Sequence, residues 1–155
     1  MKKIIIKIIN NSTLLTVISG VFVYVLSQML MEYIFNPIKD YRKIKRRIGY
    51  YLSMYCRYYN NPYNLLIEKD NSKLKNDYKK ASLEIRKVAC EFSECIGEMI
   101  IIKEKTRENL NKVLDSLIGL SNGFFIQFED DHVIKDNKKY EIEIRKILKL
   151  NRSNL

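Results

Sequence analysis

The chain has 155 residues, a length typical of one domain, and is 46% hydrophobic and 30% charged. Its formal net charge of +10 favours anionic partners such as lipid headgroups, nucleotides or nucleic acid. With five Gly and two Pro the chain has too few turn formers for a many-stranded β fold. Trp is absent and His occurs once, so most metal and acid–base chemistries lack their usual residues.

The first element is an apolar stretch from Thr13 to Phe35 that carries no charge before Glu32. Its 23 residues would form a helix about 34 Å long, enough to cross a hydrocarbon core about 30 Å thick. A cleaved signal peptide would have a shorter apolar core, followed by small residues at a cleavage site. This stretch instead continues into Asn36-Pro37-Ile38, so we predict an uncleaved membrane-spanning helix.

Basic residues flank the span unequally. Three precede it, Lys2, Lys3 and Lys7, and six follow it, Lys39, Arg42, Lys43, Lys45, Arg46 and Arg47. The positive-inside rule therefore places the C-terminal part in the cytoplasm. We predict a single-pass protein of the inner membrane, in which residues 1–36 form a tail and the span and residues 37–155 form a cytosolic helical domain.

Small and polar side chains occupy one flank of the predicted span, which we call the polar stripe. At about 100° per residue, they share about one third of the helix circumference: Thr13, Thr16, Gly20, Tyr24, Ser27 and Gln28. Ser19 and Glu32 fall outside it. Helices in lipid associate through close backbone approach and interhelical hydrogen bonds, so the stripe predicts a homo-oligomer with a sealed or water-filled interface. The alternative is a monomeric anchor, since Ser and Thr cost little in membranes.

Four further helices are predicted, with apolar residues spaced alternately by three and four. The first begins at Pro37 and ends at Asn60-Asn61-Pro62, with an apolar stripe of Ile38, Tyr41, Ile44, Ile48, Leu52, Tyr55 and Tyr59. Residues 61–73 are predicted to be a loop. The second helix, from about Ser72 to Met99, has the stripe Tyr78, Ala81, Ile85, Val88, Phe92, Cys95 and Met99, opposite a solvated charged face.

Thr106 is the predicted N-cap of the third helix, which ends at Ser121-Asn122-Gly123. Its inward residues are predicted to be Leu110, Val113, Leu114, Leu117 and Ile118. The fourth runs from about Asp136 to Leu150. Between these two helices, Phe124–Phe128 is either a short strand or a loop inserted into the core. The predicted fold class is all-α, with one N-terminal transmembrane helix followed by an antiparallel cytosolic helical bundle.

Catalytic patterns are weak throughout the chain. His132 follows Glu129-Asp130-Asp131, but no second His or paired Cys stands at ligand spacing, so a solvated turn is favoured over a metal or acid–base site. Cys56, Cys90 and Cys95 form no C-x-x-C pair and are interpreted as reduced packing residues. Glycine-rich phosphate loops are missing from the sequence. We therefore expect no catalytic residue, no metal, no cofactor and no enzyme activity.

The strongest candidate binding site is the basic cluster between Lys39 and Arg47. Juxtamembrane cations also fix topology and contact anionic lipid, at about 1 kcal/mol each, and that explanation covers this cluster. Basic residues farther along the chain extend it into a predicted ligand site: Lys43, Arg46, Arg47, Arg57, Lys79 and Lys80. The tyrosines interleaved between Tyr50 and Tyr63 would either stack on the bases of a single-stranded oligonucleotide or pack in the core.

Two segments carry a family resemblance: Phe35-Asn36-Pro37-Ile38 followed by Tyr41, Ile44, Ile48, Leu52 and Tyr55, and Ala81-Ser82-Leu83-Glu84-Ile85-Arg86. Over about residues 13–99 the chain resembles the membrane effector of Hailong-type phage-defence systems, an oligomeric channel controlled by a short single-stranded DNA. The resemblance implies that Thr16, Gly20, Ser27 and Gln28 face a pore axis, and that Lys43, Arg46 and Arg47 flank its cytosolic mouth. A basic mouth departs from cation channels, which favour acidic or neutral rings.

Together with this resemblance, the polar stripe and the basic cluster predict a homo-oligomeric bacterial membrane effector. The resemblance implies a gated ion channel in antiviral defence, whose basic helical domain responds to an anionic, oligonucleotide-like ligand. Its partners would be membrane lipid, further copies of itself, and a single-stranded oligonucleotide or a cytosolic signalling partner. The alternative is a non-conducting anchored scaffold that presents a helical docking module to a cytosolic protein.

Overall fold

The computed structural model describes residues 12–66, 72–126 and 131–150. Its elements in chain order are α1 (Ser12–Leu30), a π turn (Met31–Phe35), α2 (Asn36–Met54), α3 (Cys56–Asn60), β1 (Tyr63–Asn64), α4 (Ser72–Glu98), α5 (Glu104–Asn122), β2 (Phe125–Ile126) and α6 (Asp131–Leu148). The predicted all-α class, a long apolar N-terminal helix followed by a helical bundle, is confirmed. Lys2, Lys3 and Lys7 lie outside the described residues.

α1, the π turn and α2 form one continuous helix of 43 residues, about 65 Å long. Its apolar part is long enough to cross a membrane, and it is the one such helix among the described residues. Every residue from Ser12 to Leu30 is exposed, because the bundle packs only against the other half of the helix. The predicted domain boundary falls inside this helix, where α2 begins.

The bundle is built from α2, α4, α5 and α6, each packed against the next. α4 runs antiparallel to α2, since Arg47 contacts Glu91 and Tyr51 contacts Glu84. The C-terminal end of α4 therefore returns to the π turn. The predicted stripes form the core, whose largest fully buried members include Ile48, Leu52, Tyr59, Ile85, Val88, Phe92, Leu117, Leu120, Phe124, Ile144 and Leu148. Ile38, predicted as part of the stripe, is 44% exposed because it lies beside Lys39 and Arg42, away from the face that buries Pro37 and Ile44.

At the end of the bundle away from the π turn, the chain reverses through two short segments. A turn at Tyr55 interrupts the helix that was predicted to be continuous, and the predicted stop at Asn60 is confirmed. The break lets the buried Tyr59 hydroxyl donate to the Leu52 carbonyl at 2.7 Å. β1, inside the predicted 61–73 loop, then pairs in parallel with β2.

The apolar stretch that begins at Phe124 starts with a buried residue and continues as the half-buried strand β2. Phe124 is fully buried, its carbonyl accepts the Tyr63 N–H at 2.9 Å, and the Ile126 carbonyl accepts the Leu65 N–H at 3.0 Å. This short pairing satisfies backbone groups that the core would otherwise leave without partners. Residues 127 and 128 lie outside the described residues.

Several boundaries and faces differ from the sequence prediction. Thr106 is not an N-cap: α5 starts at Glu104, and the Thr106 N–H bonds to the Lys103 carbonyl inside the first turn. Ile118 is 40% exposed, and Ser116 and Leu120 are buried in α5 instead. α6 begins five residues earlier than predicted, at Asp131.

Gly123 allows a close approach between the end of α5 and the buried Asn137 of α6. The Asn137 carboxamide donates to the Tyr59 carbonyl at 2.9 Å and to the Gly123 carbonyl at 2.7 Å, and so joins three chain segments. A Cβ at position 123 would lie 1.9 Å from Asn137 Oδ1. Any larger residue must therefore displace this carboxamide.

Replacing Gly123 with alanine should destabilise the bundle by about 1–3 kcal/mol, since two buried carbonyls lose a hydrogen-bond donor. Gly97→Ala is the matched control, because a Cβ there meets no atom within 4 Å and alanine favours a helix. Thermal unfolding followed by circular dichroism in detergent should show a lower Tm for Gly123→Ala and an unchanged or slightly higher Tm for Gly97→Ala. Equal Tm values for the two variants would contradict this packing.

Candidate functional site

The polar stripe lies on the exposed surface of α1, and all six of its residues are solvent-accessible in one chain. A Cβ added at Gly20 would meet no atom within 4 Å. In a single copy this face is therefore open to whatever surrounds the helix, and a second helix can approach it closely at Gly20.

Three hydroxyl groups of α1 bond within their own helix. Thr16 Oγ1 donates to the Ser12 carbonyl and Ser27 Oγ to the Val23 carbonyl, both at 2.8 Å, and Ser19 Oγ donates to the Thr16 carbonyl at 2.9 Å. Such back-bonding lowers the cost of hydroxyls in lipid. Gln28 differs, because its carboxamide is exposed and has no hydrogen-bond partner among the described residues. Gln28 is thus the group of the stripe that gains most from a neighbouring helix.

The π turn determines which face of α2 continues the polar stripe. Asn36 N–H bonds to the Met31 carbonyl, five residues back, so the turn adds one residue relative to an α-helix. One added residue shifts the helical face by about 100°. On a helical wheel at about 100° per residue with this one-residue shift, four exposed cations fall within about 20° of the third of the circumference that carries the stripe. We call them the basic face: Lys39, Arg42, Lys43 and Arg46. The buried residues of α2 lie on the opposite side.

Lys43 and Arg46 of the predicted ligand site belong to the basic face. Lys39 and Arg42 complete it, although the sequence prediction left them out of the ligand site. Phe35 and Ile38 lie beside them and line an open groove together with Lys45. Clustered exposed cations of one sign create a positive potential that attracts polyanions. On the wheel of a regular α-helix, Arg42 and Arg46 would also fall in the third that carries the stripe, whereas Lys39 and Lys43 would fall outside it. The π turn therefore adds the two lysines to this face.

Arg47 points away from the basic face, towards α4. Its guanidinium pairs with both carboxylate oxygens of Glu91 and lies 5.8 Å from the centre of the Tyr51 ring. Tyr51 and Glu91 raise the pKa of Arg47. Glu84 and Glu91 belong to the charged face of α4 that was predicted to be solvated. Both are in fact half-buried and contact α2. Arg47 therefore stabilises the α2–α4 contact, with its charge already matched.

Arg57, Lys79 and Lys80 lie near the opposite end of the bundle, and all three are exposed. The Tyr78 hydroxyl donates to the Asn61 carbonyl at 2.6 Å, which fixes this part of α4 beside the end of α3. The structure therefore divides the six predicted ligand residues into three places: two on the basic face, one in the α2–α4 contact and three at the far end.

The interleaved tyrosines pack mainly on each other and on the core. Tyr51 and Tyr55 stack with ring centres 5.7 Å apart, and Tyr58 and Tyr78 meet edge to face at 4.7 Å. Tyr59 is fully buried, and its burial, with the neighbouring Glu141 charge, raises its pKa. Tyr50 is the exception among those predicted to stack on bases, being 55% exposed. It lies one turn beyond Arg46 on the basic face.

The side chains that could act as nucleophiles or metal ligands are dispersed over the described residues. Cys95 is buried, which raises its thiol pKa together with the nearby charges of Glu98 and Asp40, while Cys56 and Cys90 are exposed. Within residues 12–66, 72–126 and 131–150 there is no group of three or more His, Cys, Asp or Glu side chains that could hold a metal ion. His132 lies in the first turn of α6, where the sequence predicted a solvated turn. Glu129 and Asp130 fall outside the described residues.

No protein-family model matches the chain, and neither a curated protein nor a solved structure gives a match. The resemblance to Hailong-type effectors therefore rests on the residues quoted for it, and function must be argued from the polar stripe and the basic face.

Proposed function

We propose that this protein is a homo-oligomeric effector of a bacterial inner membrane, a gated ion channel in antiviral defence with its helical bundle in the cytoplasm. α1 crosses the membrane, and several copies turn their polar stripes towards a common axis. The basic face of α2 receives an anionic, oligonucleotide-like ligand that controls the channel.

The observation that carries this proposal is the shared direction of the polar stripe and the basic face on one continuous helix. If the stripes meet at an axis, the basic faces converge just beyond the membrane, while α4, α5 and α6 lie on the outer side. One such face offers four cations, and every further copy in the oligomer adds four more around the axis. A converged ring of this kind binds a polyanion and favours anions over cations in the conduction path.

Gly20 and Gln28 lie two turns apart on the same flank of α1. Gly20 permits close approach of neighbouring backbones, and Gln28, two turns nearer the π turn, supplies donors and an acceptor for an interhelical hydrogen bond. Both features favour association over a monomeric anchor.

Reconstitution of the full chain into liposomes tests the function. We expect a membrane conductance with anion preference, and a change in that conductance when a short oligothymidylate is added from the side of the bundle. Binding of the oligothymidylate should weaken steeply with salt, because cation–phosphate contacts release counterions. If the membranes do not conduct either with or without the oligonucleotide, the proposed channel function is contradicted.

The alternative is the non-conducting scaffold. It is favoured by large apolar side chains exposed on the bundle away from α1, Leu83, Ile118 and Ile142, which are 40–55% exposed. A scaffold predicts intact membrane potential on expression, whereas the channel predicts depolarisation. Potential-sensitive dyes in cells distinguish the two.

A further inference from the structure

The loop between α4 and α5 presents the two most exposed large hydrophobic residues of the described chain. Ile100 is 65% and Ile101 76% exposed, more than any large hydrophobic residue of α1. The next residue, Ile102, packs against the core and fixes the base of the loop. Two adjacent isoleucines held in water are unfavourable, at about 25 cal/mol for each Å² of apolar surface. Their exposure therefore points to a surface that covers them.

The loop lies at the level where α1 ends. Ile100 lines one depression with Tyr33 and Asn36, next to the π turn, because α4 runs back along α2. A hydrocarbon core about 30 Å thick takes about 20 helical residues, so a helix that enters near Ser12 leaves it close to the π turn. The loop therefore lies at the same level along the α1 axis as the membrane–water interface.

Hydrogen bonds hold the loop in this shape. Arg107 of α5 donates to the Met99 carbonyl at 2.9 Å and to the Ile96 carbonyl at 3.5 Å, which closes the end of α4. Lys103 and Lys105, both exposed, follow the isoleucines. Glu98 and Glu104 are exposed as well, so the pair of apolar side chains is flanked by charges of both signs. An apolar tip with charged flanks suits an element that dips into the headgroup layer.

We propose that Ile100 and Ile101 insert into the headgroup and upper acyl region of the bilayer and form a second membrane contact of the bundle. The proposal rests on the membrane placement of α1 but not on conduction. The loop adjoins Pro37, on the side of α2 away from the basic face, so it faces lipid outside the oligomer axis. Two side chains are too small an area for a stable protein interface, which needs about 1,200 Å² or more. Because α1 already tethers the bundle to the membrane, two side chains suffice for an additional contact with lipid.

The test uses the full chain in nanodiscs, with the exposed Cys56 and Cys90 changed to Ser and single cysteines added for a bimane label. Ile101→Cys reports on the loop and Phe22→Cys on the span. Leu83→Cys is the matched control, since Leu83 is 54% exposed but lies near the level of Tyr51, about 22 Å along α2 from Asn36. The parent without an added cysteine gives the background from the buried Cys95.

We expect the label at position 101 to lose most of its fluorescence with nitroxide-bearing lipids of shallow depth and to resist aqueous iodide. The label at position 83 should show the reverse. Iodide quenching at 101 equal to that at 83 would overturn the proposal, as would a label at 101 protected from both quenchers, which would place protein there. Quenching at position 22 by nitroxides placed deep in the acyl chains, without quenching at 101 by the shallow ones, removes the loop contact alone. No quenching at 22 by the deep nitroxides removes the span itself.

Discussion

Changing Gln28 to leucine is expected to dissociate the oligomer and abolish its conductance while membrane insertion is retained. Leucine raises the hydrophobicity of α1, so membrane insertion is favoured. The substitution removes the exposed carboxamide and with it the expected hydrogen bond to a neighbouring helix. An interhelical hydrogen bond of this kind contributes about 1–2 kcal/mol in lipid. That free energy corresponds to roughly a 5- to 30-fold change in association for each contact. Gly20→Leu should act in the same direction, by keeping the backbones apart.

Ser19→Leu is the control for both substitutions. Ser19 is also a polar residue of α1, but it lies outside the polar stripe and its hydroxyl bonds to the Thr16 carbonyl. Native mass spectrometry and bilayer conductance should be normal for Ser19→Leu and lost for Gln28→Leu. Equal oligomer size and conductance in all variants would show that the stripe does not join the copies.

Reversal of charge on the basic face is expected to abolish oligothymidylate binding and to remove the anion preference of the conductance. Arg42→Glu combined with Arg46→Glu places two carboxylates among the remaining cations of this face, and the positive potential that attracts a polyanion is lost. The formal net charge falls by four, from +10 to +6.

Lys79→Glu combined with Lys80→Glu gives the same net charge of +6 and changes exposed residues at the other end of the bundle. Any difference between the two variants therefore reports the location of the charge and not its total. Fluorescence anisotropy with labelled oligothymidylate should show a large loss of affinity for the first variant and a small one for the second. Similar losses in both would assign binding to overall charge, and a loss confined to the second would place the ligand at the far end.

The sequence predicted the parts of the fold that depend on regular periodicity. The stripes around Ile48 and Ile85 mark the core faces of α2 and α4 because buried residues recur every three or four positions in a helix. The long apolar run predicted α1, because a helix of that length and hydrophobicity is rare outside membranes.

Features that depend on single hydrogen bonds or on distant contacts could not be predicted. The π turn depends on hydrogen bonds that reach five residues back, such as that from Asn36 N–H to the Met31 carbonyl, and no residue type marks it. β1 and β2 pair across about sixty residues of chain, so neither is visible as a strand by itself. The same limits apply to the site: Arg47 was grouped with its cationic neighbours because its partner, Glu91, lies on another helix.

Disulfide crosslinking along α1 in native membranes is the most direct test that copies meet through the polar stripe. In the background with Cys56 and Cys90 changed to Ser, single cysteines at Thr16, Gly20 and Ser27 should give covalent dimers under mild oxidation. Cysteines at Ile18, Phe22 and Val25, on the opposite face, should stay monomeric. Dimers that form mainly at Ile18, Phe22 and Val25, or at none of the six positions, would contradict the account.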